Sequence, residues 1–232
     1  PPEQPKERVN VPEGFAEKDL SPYFQKIRLG SVYPGSSSGY GQISLNAYFQ
    51  GESSINVTGW PVRANRGSMF VPAAVNLYDP SGLSAETDVF LKSGDTMNIY
   101  TSISAIGRNL RLNKCIGYLE NTHDFTPPLP TNCPYADRSE ISVFTGRCQD
   151  YINSLGGCRL PDASPPVPEH DYACRAYLDT VNYRGCFEHY RNDADFISRE
   201  VRAWTGSRFL DERHDRVLLL DRNGLLVDVY GY

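Results

Sequence analysis

The chain has 232 residues, with 23 basic and 28 acidic side chains, a net charge of −5 and 40% hydrophobic residues. At this size it can bury roughly 70% of the surface its unfolded form exposes, enough for one large domain or two small ones. The acidic balance and the absence of any Lys/Arg run longer than two argue against a nucleic-acid partner, and no apolar stretch reaches the length of a membrane span.

Residues 1–22, opening Pro1-Pro2-Glu3-Gln4-Pro5, are rich in Pro, Glu and Lys and poor in apolar side chains, a composition that does not repay the entropy of ordering. They are expected to form a flexible linker or stalk. With no initial Met and no signal-like run, the chain reads as a trimmed fragment from which an upstream signal peptide or membrane anchor has been removed. From residue 23 onward short alternating segments appear: Ile27 to Tyr33, Gln42 to Phe49, Ser54 to Trp60, Met69 to Val71, Ala74 to Tyr78, Thr87 to Leu91 and Met97 to Thr101. Separated by Gly, Ser and Pro turns at spacings of about 8–12 residues, they predict a β-sandwich.

All six cysteines lie between Cys115 and Cys186. None of their intervals has the short Cys-x2-4-Cys spacing of a structural zinc clamp, so disulfides and an oxidising compartment are expected. Cys148, Tyr151, Ile152 and Leu155 fall at helical spacing, as do Cys174, Tyr177, Leu178 and Val181, so each group predicts a short amphipathic helix with a cysteine near each end. Six cysteines permit fifteen pairings. A helix of this length would hold Cys148 and Cys158 about 15 Å apart, beyond the ~7 Å reach of a disulfide, which disfavours 148–158 and 174–186. Two antiparallel helices would instead pair Cys148 with Cys186 and Cys158 with Cys174, leaving Cys115 with Cys133. A third helix is expected over the charged and aromatic stretch from His189 to Trp204.

Strand character returns at Arg216 to Leu220 and Leu225 to Tyr230, joined by Asp221-Arg222-Asn223-Gly224. An isolated hairpin is marginal in water, so this ribbon should pair with the earlier sheet. The expected organisation is a sandwich of 23–119 plus 205–232, interrupted by a cysteine-rich helical insertion at 120–204.

Three segments carry a resemblance: Ile55-Asn56-Val57-Thr58-Gly59-Trp60, then Leu91 to Thr101 with its Ser93-Gly94-Asp95 turn, then Val217 to Tyr230. In that order they resemble the lamin-tail domain, as found in bacterial extracellular proteins. The resemblance implies an immunoglobulin-like β-sandwich, with no reaction and no cofactor. It does not account for the segment from Cys115 to Cys186.

The sequence holds no nucleophile elbow, zinc-protease motif, phosphate-binding loop or dinucleotide fingerprint. No catalytic residue, metal or cofactor is therefore assigned. His189 with Asp193 and Asp195 is the best ligand cluster, because His189 and Asp193 would share a helical face. Asn192 to Asp195 reads more readily as the N-terminal cap of a helix beginning near Phe196. Trp204 is expected to dock the insertion on the sandwich, and His214 sits beside Asp215. Asn56-Val57-Thr58 matches a glycosylation acceptor by chance, and Asp221 to Gly224 is a hairpin turn rather than a calcium loop. The expected protein is a non-enzymatic secreted or cell-surface module that binds a protein or an envelope glycan. The alternative is a secreted hydrolase using His189, Asp193, Asp195 or His214 between insertion and sandwich.

Overall fold

The computed structural model describes residues 10–36 and 39–232. The strands are β1 (Ile27–Tyr33), β2 (Gln42–Ala47), β3 (Ile55–Asn56), β4 (Pro61–Ala64), β5 (Gly67–Phe70), β6 (Phe90–Leu91), β7 (Thr96–Tyr100), β8 (Leu110–Asn113), β9 (Ile197–Trp204), β10 (Arg216–Leu220) and β11 (Leu226–Gly231). The helices are α1 (Arg138–Ile141), α2 (Gly146–Ser154), α3 (Tyr172–Leu178) and α4 (Tyr183–Tyr190), with short 3-10 turns at Glu17–Asp19 and Ile116–Asn121. These elements divide into two compact units, one made of residues up to 73 with 88–102 and 205–232, the other of 74–87 and 103–204.

The first unit is mainly β and sandwich-like. Antiparallel pairing sets Ile27 opposite Ala47 on β1 and β2, and Ile43 and Leu45 opposite Ile99 and Met97 on β2 and β7. Facing residues of an antiparallel pair share one side of the sheet, and all of these are buried. The second sheet runs β11-β10-β4-β5, with Leu219 opposite Val62, neither of them exposed. The expected pairing of the terminal ribbon with the earlier strands is thus present. Its turn is built by Asp221, whose Oδ1 accepts from the amides of Asn223 (2.8 Å) and Leu225 (3.0 Å) while Gly224 adopts φ +79°. Oδ2 of the same carboxylate accepts from the Ser21 hydroxyl at 2.7 Å, and Leu20 bridges Leu226. The expected stalk at 1–22 therefore ends sooner, with Leu20 and Ser21 already part of the fold; residues 1–9 lie outside the described residues.

The second unit holds the β8–β9 pair and all four α-helices. The predicted helix from His189 to Trp204 is corrected: α4 stops at Tyr190 and Ile197–Trp204 is strand β9, with Val201 facing Arg111 of β8. Every second residue at the end of β9 is deeply buried (Val201, Ala203), a period of two that the charged residues between them had obscured. The predicted helix across Cys174 and Cys186 is likewise two helices. Asp171 caps the start of α3 by accepting from the Cys174 amide, and Asn182 caps α4 by accepting from the Gly185 amide. A second cap, Asn182, only ten residues after α3 begins at Tyr172, breaks the axis and re-aims Cys186.

That break explains the disulfides, which are Cys115–Cys186, Cys133–Cys158 and Cys148–Cys174. All six cysteines pair and neither local bond occurs, although for 174–186 the single helix on which the reach argument rested is broken. The expected pairs 115–133, 148–186 and 158–174 are all corrected, since they assumed two unbroken antiparallel helices. Instead the first turns of α2 and α3 lie together, with Thr145 Oγ1 donating to Asp171 Oδ2 at 2.8 Å and Cys148 bonded to Cys174 at a Cα separation of 6.0 Å. Around them Ile141, Tyr151, Ile152, Leu155, Val167 and Leu178 form a core of their own. Burying each large aliphatic side chain contributes about 1.5–3 kcal/mol. No helix among the described residues is long and apolar enough to cross a membrane.

Candidate binding cleft

The apolar spacing that forms α2 and α3 also leaves a concave surface where their ends meet α1, α4 and the Ile116–Asn121 turn. Here a cavity of about 100 Å³ is lined by Tyr118, Tyr135, Tyr177 and Tyr190, with Glu140 and His189. Ile152, Leu155 and Val181 complete its apolar wall. Two crosslinks lie beside it: Cys186 is itself a lining residue, and Gly157 of the wall precedes Cys158. These restrain the walls.

Tyr118 is only 8% exposed. Among the described residues its hydroxyl makes no hydrogen bond, yet no fully occluded side-chain nitrogen or oxygen lacks a partner. The hydroxyl therefore keeps an opening, and the cleft is where Tyr118 meets open space. Burial pushes the Tyr118 phenol above its ordinary pKa, and the neighbouring Tyr177 and Tyr190 phenols add to the effect. Burial also raises Tyr177 and Tyr190, reinforced in both by the Glu140 carboxylate. These phenols accordingly stay protonated at neutral pH, available as both donors and acceptors. His189 Nε2 stands 3.5 Å from Glu140 Oε1, and both side chains are close to half exposed, so the pair adds little stability. The imidazole packs edge-on against the Tyr190 ring at 4.3 Å.

Of the candidate ligand and docking residues read from sequence, His189, Asp193, Asp195, Trp204 and His214, only His189 belongs to this cleft. Asp193 and Asp195 do not cap a helix; they precede β9 and hold Lys114 at 2.9 and 2.5 Å. The lysine's hydrogen bond holds the Asp195 carboxyl below the ordinary range. No three His, Cys, Asp or Glu side chains among the described residues are placed to hold a metal. Trp204 is buried within its own unit, its indole donating to the Thr126 carbonyl at 2.9 Å and packing 5.6 Å from Phe125. His214 lies in the other unit, its carbonyl accepting from Asn65 Nδ2 at 3.3 Å. Asn56, the glycosylation match, donates to Asp88 and accepts from the Thr58 amide, forming the turn before Trp60.

The chain matches no family model, no curated protein and no solved structure. The cleft must therefore be read from its own chemistry. Two larger grooves, of about 460 and 370 Å³, lie elsewhere in the same unit. Their lining cations are already engaged: Lys114 by the two aspartates, and Arg175 by the Val167 and Pro168 carbonyls. Of these three, the smaller cleft joins a phenol hydroxyl that is open and bonded to nothing among the described residues to an exposed carboxylate. Tyr118, Tyr135, Tyr190 and Glu140 were not singled out from the sequence, because they come from four separate segments. The fifteen tyrosines are spread along the chain, and their number marks no particular site.

Proposed function

We propose that this chain is a non-enzymatic, extracellular or cell-surface binding module that captures a protein or envelope-glycan partner through the tyrosine-lined cleft. The observation that carries this reading is the Tyr118 hydroxyl, held by a largely buried ring, bonded to nothing among the described residues and open to the cleft, in a wall stiffened by disulfides. An open hydroxyl at the floor of a cleft can trade its solvent hydrogen bond for one to a ligand, a net gain of about 0.5–1.5 kcal/mol. Tyrosine also supplies contact area at low entropic cost, with a polar end for orientation. The three disulfides fit an oxidising compartment.

The first unit serves as the frame, and we propose that its sandwich is of the immunoglobulin-like, lamin-tail type. Supporting this, Thr58-Gly59-Trp60 leads directly into β4, the strand that receives the terminal hairpin, and Trp60 is 2% exposed against Tyr23. The hydrolase alternative has lost its expected constellation, since Asp193 and Asp195 are committed to Lys114. It would have to rest on Glu140 and His189 alone.

The test is capture of partners from cell-envelope extracts together with a glycan array, comparing the wild-type chain with Tyr135→Ala and Tyr190→Ala. The reading expects both variants to lose capture while keeping the wild-type unfolding midpoint. Undiminished capture by both would remove the cleft from the function.

A further inference from the structure

The cleft is too small for a whole ligand. Binding pockets for complete small molecules usually enclose about 300–1,000 Å³, whereas this cavity of about 100 Å³ has room for an end group. Its polar lining is rich in acceptors: the Tyr118 and Tyr177 hydroxyls make no hydrogen bond among the described residues, and Glu140 keeps free lone pairs. At 3.5 Å, His189 is too distant to satisfy that carboxylate strongly. The acidic Glu140 and Asp137 both lie close enough to disfavour ionisation of Tyr190. One ring of the cleft already attracts an ammonium group, for Lys114 Nζ sits 5.9 Å from the Tyr190 centroid. An anion would meet a carboxylate and electron-rich rings here. A cation with several N–H donors would meet partners for all of them.

We infer that the cleft seats the terminal ammonium of a lysine side chain presented by a protein partner. This rests on the binding reading above and names the chemistry of its ligand. A lysine ammonium has three donors and no acceptor, matching two phenol oxygens and a carboxylate. Its methylene stem would lie along Ile152, Leu155 and Val181, the apolar wall that a compact free ammonium ion would leave uncovered. Tyr135, 71% exposed at the cleft, offers the contact surface that the presenting chain needs.

The test titrates the full chain with an acetylated, amidated Gly-Lys-Gly peptide, followed by NMR and calorimetry. Parallel arms use the peptide with norleucine or acetyl-lysine in place of lysine, n-butylamine, and a methyl glycoside. The lysine peptide should give saturable shifts at Tyr118, Glu140, Tyr177 and His189, and the norleucine and acetyl-lysine peptides should not. Glu140→Gln, an exposed and nearly isosteric change, should weaken lysine-peptide binding at least about tenfold, and Tyr118→Phe should weaken it several-fold. Equal binding of the norleucine peptide, or indifference to Glu140→Gln, would overturn the inference. Binding of n-butylamine without the lysine peptide would overturn the protein source. If the glycoside alone saturates the cleft, the ligand chemistry is wrong and the binding reading survives. If no probe shifts the cleft and Tyr190→Ala still captures partners, both fall.

Discussion

Replacing Cys115 and Cys186 together by alanine should be the most destabilising removal of any disulfide in this chain. The bond spans 71 residues, against 25 and 26 for the other two. In the chain-entropy model a loop of that length restricts the unfolded ensemble by about 4.4 kcal/mol, and the shorter ones by about 3.5 kcal/mol. Cys133–Cys158 and Cys148–Cys174 overlap along the sequence inside the larger loop and shorten its effective path, which brings the first figure down to about 4 kcal/mol. Both sulfurs are buried, Cys115 completely, so the substitution also leaves a small void where the 3-10 turn meets α4. For a protein of this length each kcal/mol moves Tm by about 2–4 °C, so a fall of about 8–16 °C is expected. Urea unfolding followed by tyrosine fluorescence and near-ultraviolet circular dichroism measures it, with the Cys148→Ala/Cys174→Ala protein as the comparison. A loss below about 1 kcal/mol, or peptide mapping that joins Cys115 to Cys133, would refute the reasoning.

Three further changes probe other parts of the argument. Gly185→Ala would bring its Cβ within 1.9 Å of the Thr180 carbonyl oxygen, a backbone atom, so it should cost about 3 kcal/mol or more and loosen the α3–α4 turn; an unchanged urea midpoint would contradict the packing. Tyr183→Phe removes a buried hydroxyl that accepts from Asn113 Nδ2 at 3.1 Å and donates to the Tyr78 carbonyl at 2.6 Å. Orphaning both partners should cost about 2–4 kcal/mol, with hydrogen exchange rising around Tyr78 and Asn113; a loss under about 0.5 kcal/mol would count against the bridge. Asp228 has its carboxyl raised above 3.8 mainly by burial. Its ionised form therefore opposes folding above the folded-state pKa, and that opposition fades as pH falls through that value toward 3.8. Asp228→Asn, which can still accept from the Leu29 amide, should be more stable than the wild type at neutral pH, with the difference closing in acid. A gap that is constant with pH would exclude the linkage.

The terminal ribbon was legible because β-branched and leucine-rich alternation around Asn-Gly leaves few other structures. Strand β8 was not. Leu110-Arg111-Leu112-Asn113 alternates, but Arg111 and Asn113 look like solvent-facing residues and are in fact 8% and 5% exposed. Their burial depends on partners far along the chain, the Arg111 guanidinium on the Ser198 carbonyl and the Asn113 amide on Tyr183. No local pattern announces such a partner. Likewise the cap at Asn182 was present in the letters, but a continuous apolar period across Cys174 to Val181 outweighed it.

Local chemistry alone determined the strand alternation of the first hundred residues, the amphipathic turns at Cys148 and Cys174, the turn at Asp221 to Gly224 and the exclusion of local disulfides. Each depends on spacing within one stretch of backbone, where pleat and helix rise are known. The cysteine pairing and the cleft were decided only by tertiary structure. Which sulfur meets Cys115, and whether Tyr118, Glu140, Tyr177 and Tyr190 share a cavity, depends on helix directions set by packing among segments up to 71 residues apart. Side chains brought together across such distances leave no period in the sequence.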